Sequence, residues 1–184
     1  MRREYRFSGF GGQGVITMCH IVGHAATITG DLDATMTEAY GPEKTGGFSR
    51  GDVVVSDTEV TYPAVVEPDV VVAFSQDAFE RDADSVTDGG LVMVEDTLVD
   101  PSTFAERRED VTIETVPAFD VAVDVGRRLV GNIVMLGTLT TLVDVPPAEV
   151  VRDAIRDVVP AGTEGMNETA FDRGRSVLEE EVTA

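Results

Sequence analysis

Runs of β-branched apolar residues alternate along the chain with stretches whose apolar positions recur every three or four residues, and this change of period predicts strands joined by helices. Strands are predicted at 4–10, 34–38, 52–56, 69–74, 91–94 and 111–116. The fourth, Asp69-Val70-Val71-Val72-Ala73-Phe74, is almost wholly apolar, as befits a central strand covered on both faces. The first helix is predicted at 14–29 and the second after Ser75, whose hydroxyl can accept from first-turn amides while Asp77 favours the positive end of the helix dipole. Asp100-Pro101 opens a brief third helix. From Ala118 onward the pattern turns helical, with a short helix to 130, another at 132–143, a third after Pro146-Pro147 and a last at 167–180. The predicted fold is α/β, a mostly parallel sheet flanked by helices with a helical C-terminal third. No linker, repeat or low-complexity tract divides it, so a single domain over 1–184 is expected.

Charge changes this picture most. Asp and Glu number 34 against 14 Lys and Arg, a net charge of −20, and Lys44 is the only lysine. The acids recur along the whole chain, from Asp31 and Asp52 to Asp153 and Glu179, which describes an acidic surface rather than an acidic tail. Self-repulsion of this size fades at roughly 1 M salt, where the Debye length falls to about 3 Å, so a salt-rich, halophile-like cytosol is the expected setting. A phosphate backbone would be repelled, which excludes nucleic acid as a partner. No apolar run reaches the roughly 18 residues of a membrane span, and Met1-Arg2-Arg3-Glu4-Tyr5 leads into a strand rather than a secretory core, so a cytoplasmic protein without a membrane partner is expected. Cys19, alone, can neither form an internal disulfide nor ligate an iron–sulfur cluster, and its helical neighbours Val15, Val22 and Ala26 place it in the core.

Two glycine-bearing segments carry the candidate chemistry. Gly9-Phe10-Gly11-Gly12-Gln13-Gly14 lies between the first predicted strand and helix, where glycines permit a tight turn and a helix amino end can hold a pyrophosphate. A dinucleotide site also asks for an acid after the second strand, yet Asp31 and Asp33 precede that strand, and its end carries Glu38-Ala39-Tyr40. A close-packed strand-to-helix turn explains the glycines equally well. The second segment, Tyr40-Gly41-Pro42-Glu43-Lys44-Thr45-Gly46-Gly47, follows another strand and should share the sheet edge at which α/β proteins bind ligands. His20 and His24 stand four apart on the first helix, opposite its apolar side, with no third ligand in view, so they are read as surface or interface residues and no metal site is expected. The helix at 132–143 is apolar on one face and small on the other (Val134, Gly137, Thr138, Thr141), and that second face is covered either by a partner or from within.

Gly9 to Val15 together with Tyr40-Gly41-Pro42-Glu43 and Gly46-Gly47, in that order and separation, closely resemble the gamma subunit of the 2-oxoacid:ferredoxin oxidoreductases. Further echoes are Val53 to Asp57, Pro68-Asp69-Val70, Asn132-Ile133-Val134-Met135-Leu136-Gly137 and Asn167 to Gly174, so the likeness covers almost the whole chain. The resemblance implies a Rossmann-like domain that assembles with alpha and beta subunits, and in some members a delta subunit, of the pyruvate, 2-oxoglutarate, ketoisovalerate or indolepyruvate type. It implies that the other subunits hold thiamine diphosphate, Mg and [4Fe-4S] clusters, and that the complex transfers the acyl group of a decarboxylated 2-oxoacid to coenzyme A and the electrons to ferredoxin. This chain, with no catalytic residue of its own, would then contribute a cofactor-binding or subunit-facing edge built from Gly9, Gly11, Gly12, Gln13, Gly14, Tyr40, Gly41, Pro42, Glu43, Gly46, Gly47 and Asn132. When isolated it would be inactive and could form a homodimer. Similar members place Arg immediately before the Gly-Gly pair, whereas Thr45 stands here, which puts a direct ionic contact at that point in doubt. Two other readings remain open, a stand-alone NAD- or FAD-binding protein and a scaffold or regulatory relative that has lost the enzyme.

Overall fold

A computed structural model describes residues 1–28, 31–42 and 46–181. Among these residues six strands form one sheet in the order β2-β3-β1-β4-β5-β6, with β1 Arg2–Phe10, β2 Asp33–Tyr40, β3 Phe48–Ser56, β4 Val70–Ala73, β5 Leu91–Glu95 and β6 Thr112–Val116. Strands β1, β4, β5 and β6 are mutually parallel neighbours, as expected. The third strand departs from the parallel pattern: β3 runs antiparallel to both β1 and β2. Residues 41–47 join β2 to β3, too few for a crossover, so the chain can only turn back on itself as a hairpin. Two reversals leave β2 pointing the same way as β1, and both end on one rim of the sheet.

Among the described residues seven helices flank the sheet: α1 Val15–Ile28, α2 Gln76–Asp82, α3 Ser102–Arg107, α4 Ala118–Val125, α5 Gly131–Leu142, α6 Ala148–Val158 and α7 Glu164–Glu181. The central strands feed both faces in alternation. Val70, Val72, Leu91 and Met93 turn to the core beneath α1 and α4 to α7, while Val71, Ala73, Val92 and Val94 turn to the one beneath α2 and α3. Ser75 caps α2, accepting from the Ala78 amide at 3.3 Å. The helix expected to run to 130 stops at Val125, because Gly126 adopts a φ of 120° and closes α4.

The open question of the second face of α5 is answered within the chain. Val134, Gly137 and Thr138 pack against α7, where Thr138 donates to the Gly174 carbonyl at 2.8 Å. A Cβ on Gly137 or Gly174 would overlap the opposing backbone, so the two glycines set how closely these helices approach.

Candidate functional site

The Gly-rich turn begins where β1 ends and is shaped by its own side chains. The Gln13 side chain accepts from the Phe10 amide at 2.6 Å and donates to the Phe74 carbonyl at 2.9 Å, tying the ends of β1 and β4 together. Gly12 and Gly14 take φ values of 96° and 78°, which glycine adopts without a Cβ penalty. The Asn132 amide at the start of α5 donates to the Gly14 carbonyl at 3.2 Å, and a Cβ on Gly14 would overlap it. Residues 118 apart in sequence thus meet at one turn.

The hairpin bend lies directly against this turn. The Gly11 amide donates to the Gly47 carbonyl at 2.8 Å, and a Cβ added to Gly11 would sit 3.4 Å from the Gly46 amide nitrogen, in van der Waals contact. Gly46, with φ of 71°, makes the bend, and the Gly41 amide closes it on the Phe48 carbonyl at 2.7 Å. Tyr40 projects outward, donating its hydroxyl to the Glu38 carboxylate, and that bond raises its pKa. Pro42 lies in the same bend, whereas Glu43, Lys44 and Thr45 lie outside the described residues.

The Gly-rich turn borders a groove of about 580 Å³, which the hairpin reaches only through Tyr40 and Ser49; Gly41, Pro42, Gly46 and Gly47 do not line it. Gly11, Gly12, Gly14, Tyr40 and Asn132 line it, joined by residues the sequence did not single out as a site, chiefly Arg127, Leu129, Thr163 and Met166. The amino ends of α1 (Gly14 to Thr17), α5 (Val130 to Ile133) and α7 (Thr163 to Asn167) all reach this groove. First-turn amides lack intrahelical acceptors and carry the positive end of the helix dipole, so three such ends favour an anion. Arg127 adds a full charge, and among the described residues neither it nor Arg128 pairs with a carboxylate, Arg128 instead covering the Phe119 ring at 4.1 Å. The sequence signal was the Arg127-Arg128 doublet itself, two adjoining cations between helices in a chain of net charge −20. Val159 and Ile16 make other walls apolar, so the groove suits a ligand with both an anionic and an apolar part.

Among the described residues that line the groove there is no carboxylate, cysteine or histidine. Asp33 lies at the start of β2, on the opposite rim, where it accepts from the Val60 amide at 2.8 Å. Cys19 is fully buried, pressed against Gly51, and burial pushes its thiol pKa well up. His20 and His24 lie on the outer side of α1, where His20 is 3.5 Å from Glu38 and His24 is 3.0 Å from Asp157.

Comparison with known proteins places these features in a family context. Residues 4–177 match the family described as pyruvate ferredoxin/flavodoxin oxidoreductase. The chain is 41% identical over 181 residues to the 2-oxoglutarate synthase subunit KorC of Methanocaldococcus jannaschii, covering 98% of this chain and 96% of that protein. It is 40% identical over 184 residues to the KorC subunit of Methanothermobacter marburgensis, covering 98% of each. Its structure is similar to that of the gamma subunit of a keto/oxoacid ferredoxin oxidoreductase from Geobacter sulfurreducens, with a TM-score of 0.83, 30% identity and 98% of each chain covered. No helix among the described residues is long and apolar enough to cross a membrane.

Proposed function

The chain belongs to the pyruvate ferredoxin/flavodoxin oxidoreductase family as a gamma subunit of a 2-oxoacid:ferredoxin oxidoreductase, and on that premise we propose that its glycine-lined groove receives coenzyme A at the junction with the other subunits. What supports this reading is the convergence of three helix amino ends and of Arg127, which has no carboxylate partner among the described residues, on a groove lined in part by Gly11, Gly12 and Gly14. A phosphate-bearing ligand with an apolar arm matches both parts. Gly12, where an added Cβ would meet nothing, allows it to approach the main chain without meeting a side chain. Asn132 braces the turn from beneath, and Gln13 keeps it in register with β4.

The redox chemistry belongs to the partner subunits. The only cysteine of this chain is buried and cannot by itself supply the thiolates of an iron–sulfur cluster; the family resemblance implies that thiamine diphosphate, Mg and the [4Fe-4S] clusters are carried by the alpha and beta chains, or by a delta chain where one is present. Given its KorC-like relatives, the complex acts on 2-oxoglutarate, releasing carbon dioxide, passing the acyl group to coenzyme A and reducing ferredoxin. The acidic surface suits a cytoplasm rich in salt.

The test is reconstitution of the native complex with the Arg127→Ala chain. Loss of one charge-assisted contact should raise the KM for coenzyme A roughly tenfold while leaving the KM for the 2-oxoacid unchanged. Equal KM values for coenzyme A in the two complexes would refute a ligand role for the groove. A screen of 2-oxoacids on the same preparation should give 2-oxoglutarate the largest kcat/KM.

A further inference from the structure

At the opposite rim from the groove, residues 57–69 connect β3 to β4 across the start of β1. Surface connections are normally polar, yet this one shows Tyr62, Pro63, Ala64 and Val66 to solvent, with Tyr62 62% and Val66 66% exposed. The turn is also held rigidly. The Arg6 guanidinium donates to the Val65 carbonyl at 2.8 Å while clamped in the core by both oxygens of Asp52, at 2.9 and 3.0 Å, and by Ser85 at 2.8 Å. Arg2 donates to the Tyr62 carbonyl at 3.0 Å, and Asp33 holds the Val60 amide. Val65 points inward as a buried anchor, so its neighbours must point out.

We infer that the turn from Tyr62 to Val66 is a docking surface for another subunit of the complex, one presenting an apolar recess edged by basic side chains. This rests on the subunit reading above. A large aromatic on a pre-ordered backbone gives up little conformational entropy on binding, which is the character of an interface anchor. Charge decides the kind of partner. Glu59 and Glu67 flank the apolar residues, both exposed and without a cation partner among the described residues. A second copy would bring these carboxylates against their own kind on a chain of net charge −20, so a basic rim on a different chain is the complementary surface.

The experiment measures binding of the free chain to the remaining subunits of the dissociated native complex. Tyr62→Ser combined with Val66→Ser should weaken assembly by at least about tenfold, as loss of an anchor does, while Tyr62→Phe retains it. Both substitutions fall on exposed side chains, so circular dichroism and the unfolding midpoint of the free chain should stay unchanged. Glu59→Lys with Glu67→Lys should weaken assembly too. Undiminished affinity for the Ser double variant overturns the proposal. A free-chain dimer in sedimentation that the Ser variant dissociates assigns the turn to a second copy, which also overturns it. If the wild-type chain binds none of the subunits, the subunit reading itself falls and takes the proposal with it, whereas wild-type binding that the Ser double variant matches overturns the docking surface alone.

Discussion

Cys19 and Tyr5 show how burial governs single residues in this protein. Both are buried, Cys19 on α1 and Tyr5 on β1, with pKa values raised by desolvation, the Tyr5 hydroxyl donating to the Val145 carbonyl. In the unfolded chain the thiol ionises near its ordinary value of ~8.5, whereas in the folded chain it stays protonated far above that. The folded state therefore gains full benefit below that ordinary value, and stability is lost as pH rises above it toward the folded pKa. Urea unfolding followed from pH 7 to 11 should show the decline starting near ~8.5, and in Cys19→Ala the onset should move to ~10, the ordinary range of tyrosine. Identical profiles would mean that the thiol is not the titrating group. The same burial keeps Cys19 from serving as a nucleophile, so the residue the sequence assigned to the core is indeed there.

Among the elements, α5 and α7 approach closely at Gly137 and Gly174. Gly174 faces the Val134 carbonyl with no room for a Cβ, so Gly174→Val should cost ~1–3 kcal/mol through overpacking, read as a lower urea midpoint with unchanged slope. Helices and strands were legible in the sequence because their periods are local: the six strands and seven helices among the described residues were expected close to where they lie. Their ends were less so. Strand β2 reaches Tyr40 and β3 begins at Phe48, well beyond the apolar cores at 34–38 and 52–56, because hairpin hydrogen bonds extend pairing through polar Ser49 and Arg50. The antiparallel sense of β3 was hidden for the same reason, since a period of two says nothing about strand direction. The two glycine bends were legible as one rim. Arg127, Thr163 and Met166 were not identified as part of it, because only the folding of the C-terminal helices across α1 brings them there.

For the whole molecule, the net charge of −20 is the dominant long-range force. Some of it is answered locally, as where Arg152 faces Asp172 at 3.2 Å and Arg107 faces Asp84 at 2.6 Å, but exposed pairs of this kind add little, and 34 acids outnumber 14 cations. Raising KCl from ~0.1 to ~1 M shortens the screening length from about 10 to about 3 Å, so calorimetry should record an unfolding temperature several degrees higher in the stronger salt. A flat or falling curve would speak against an acidic surface tuned to salt. At this scale the two proposed contact regions lie on opposite rims of the sheet, the groove beside the Gly11–Gly12 turn and the Tyr62 turn on the far rim. The most direct check of the groove is hydrogen exchange on the assembled native complex with and without coenzyme A. The account predicts slower exchange on adding coenzyme A at residues 11–17, 46–49 and 127–132, with 102–112 unaffected; unchanged exchange at those three segments would contradict it.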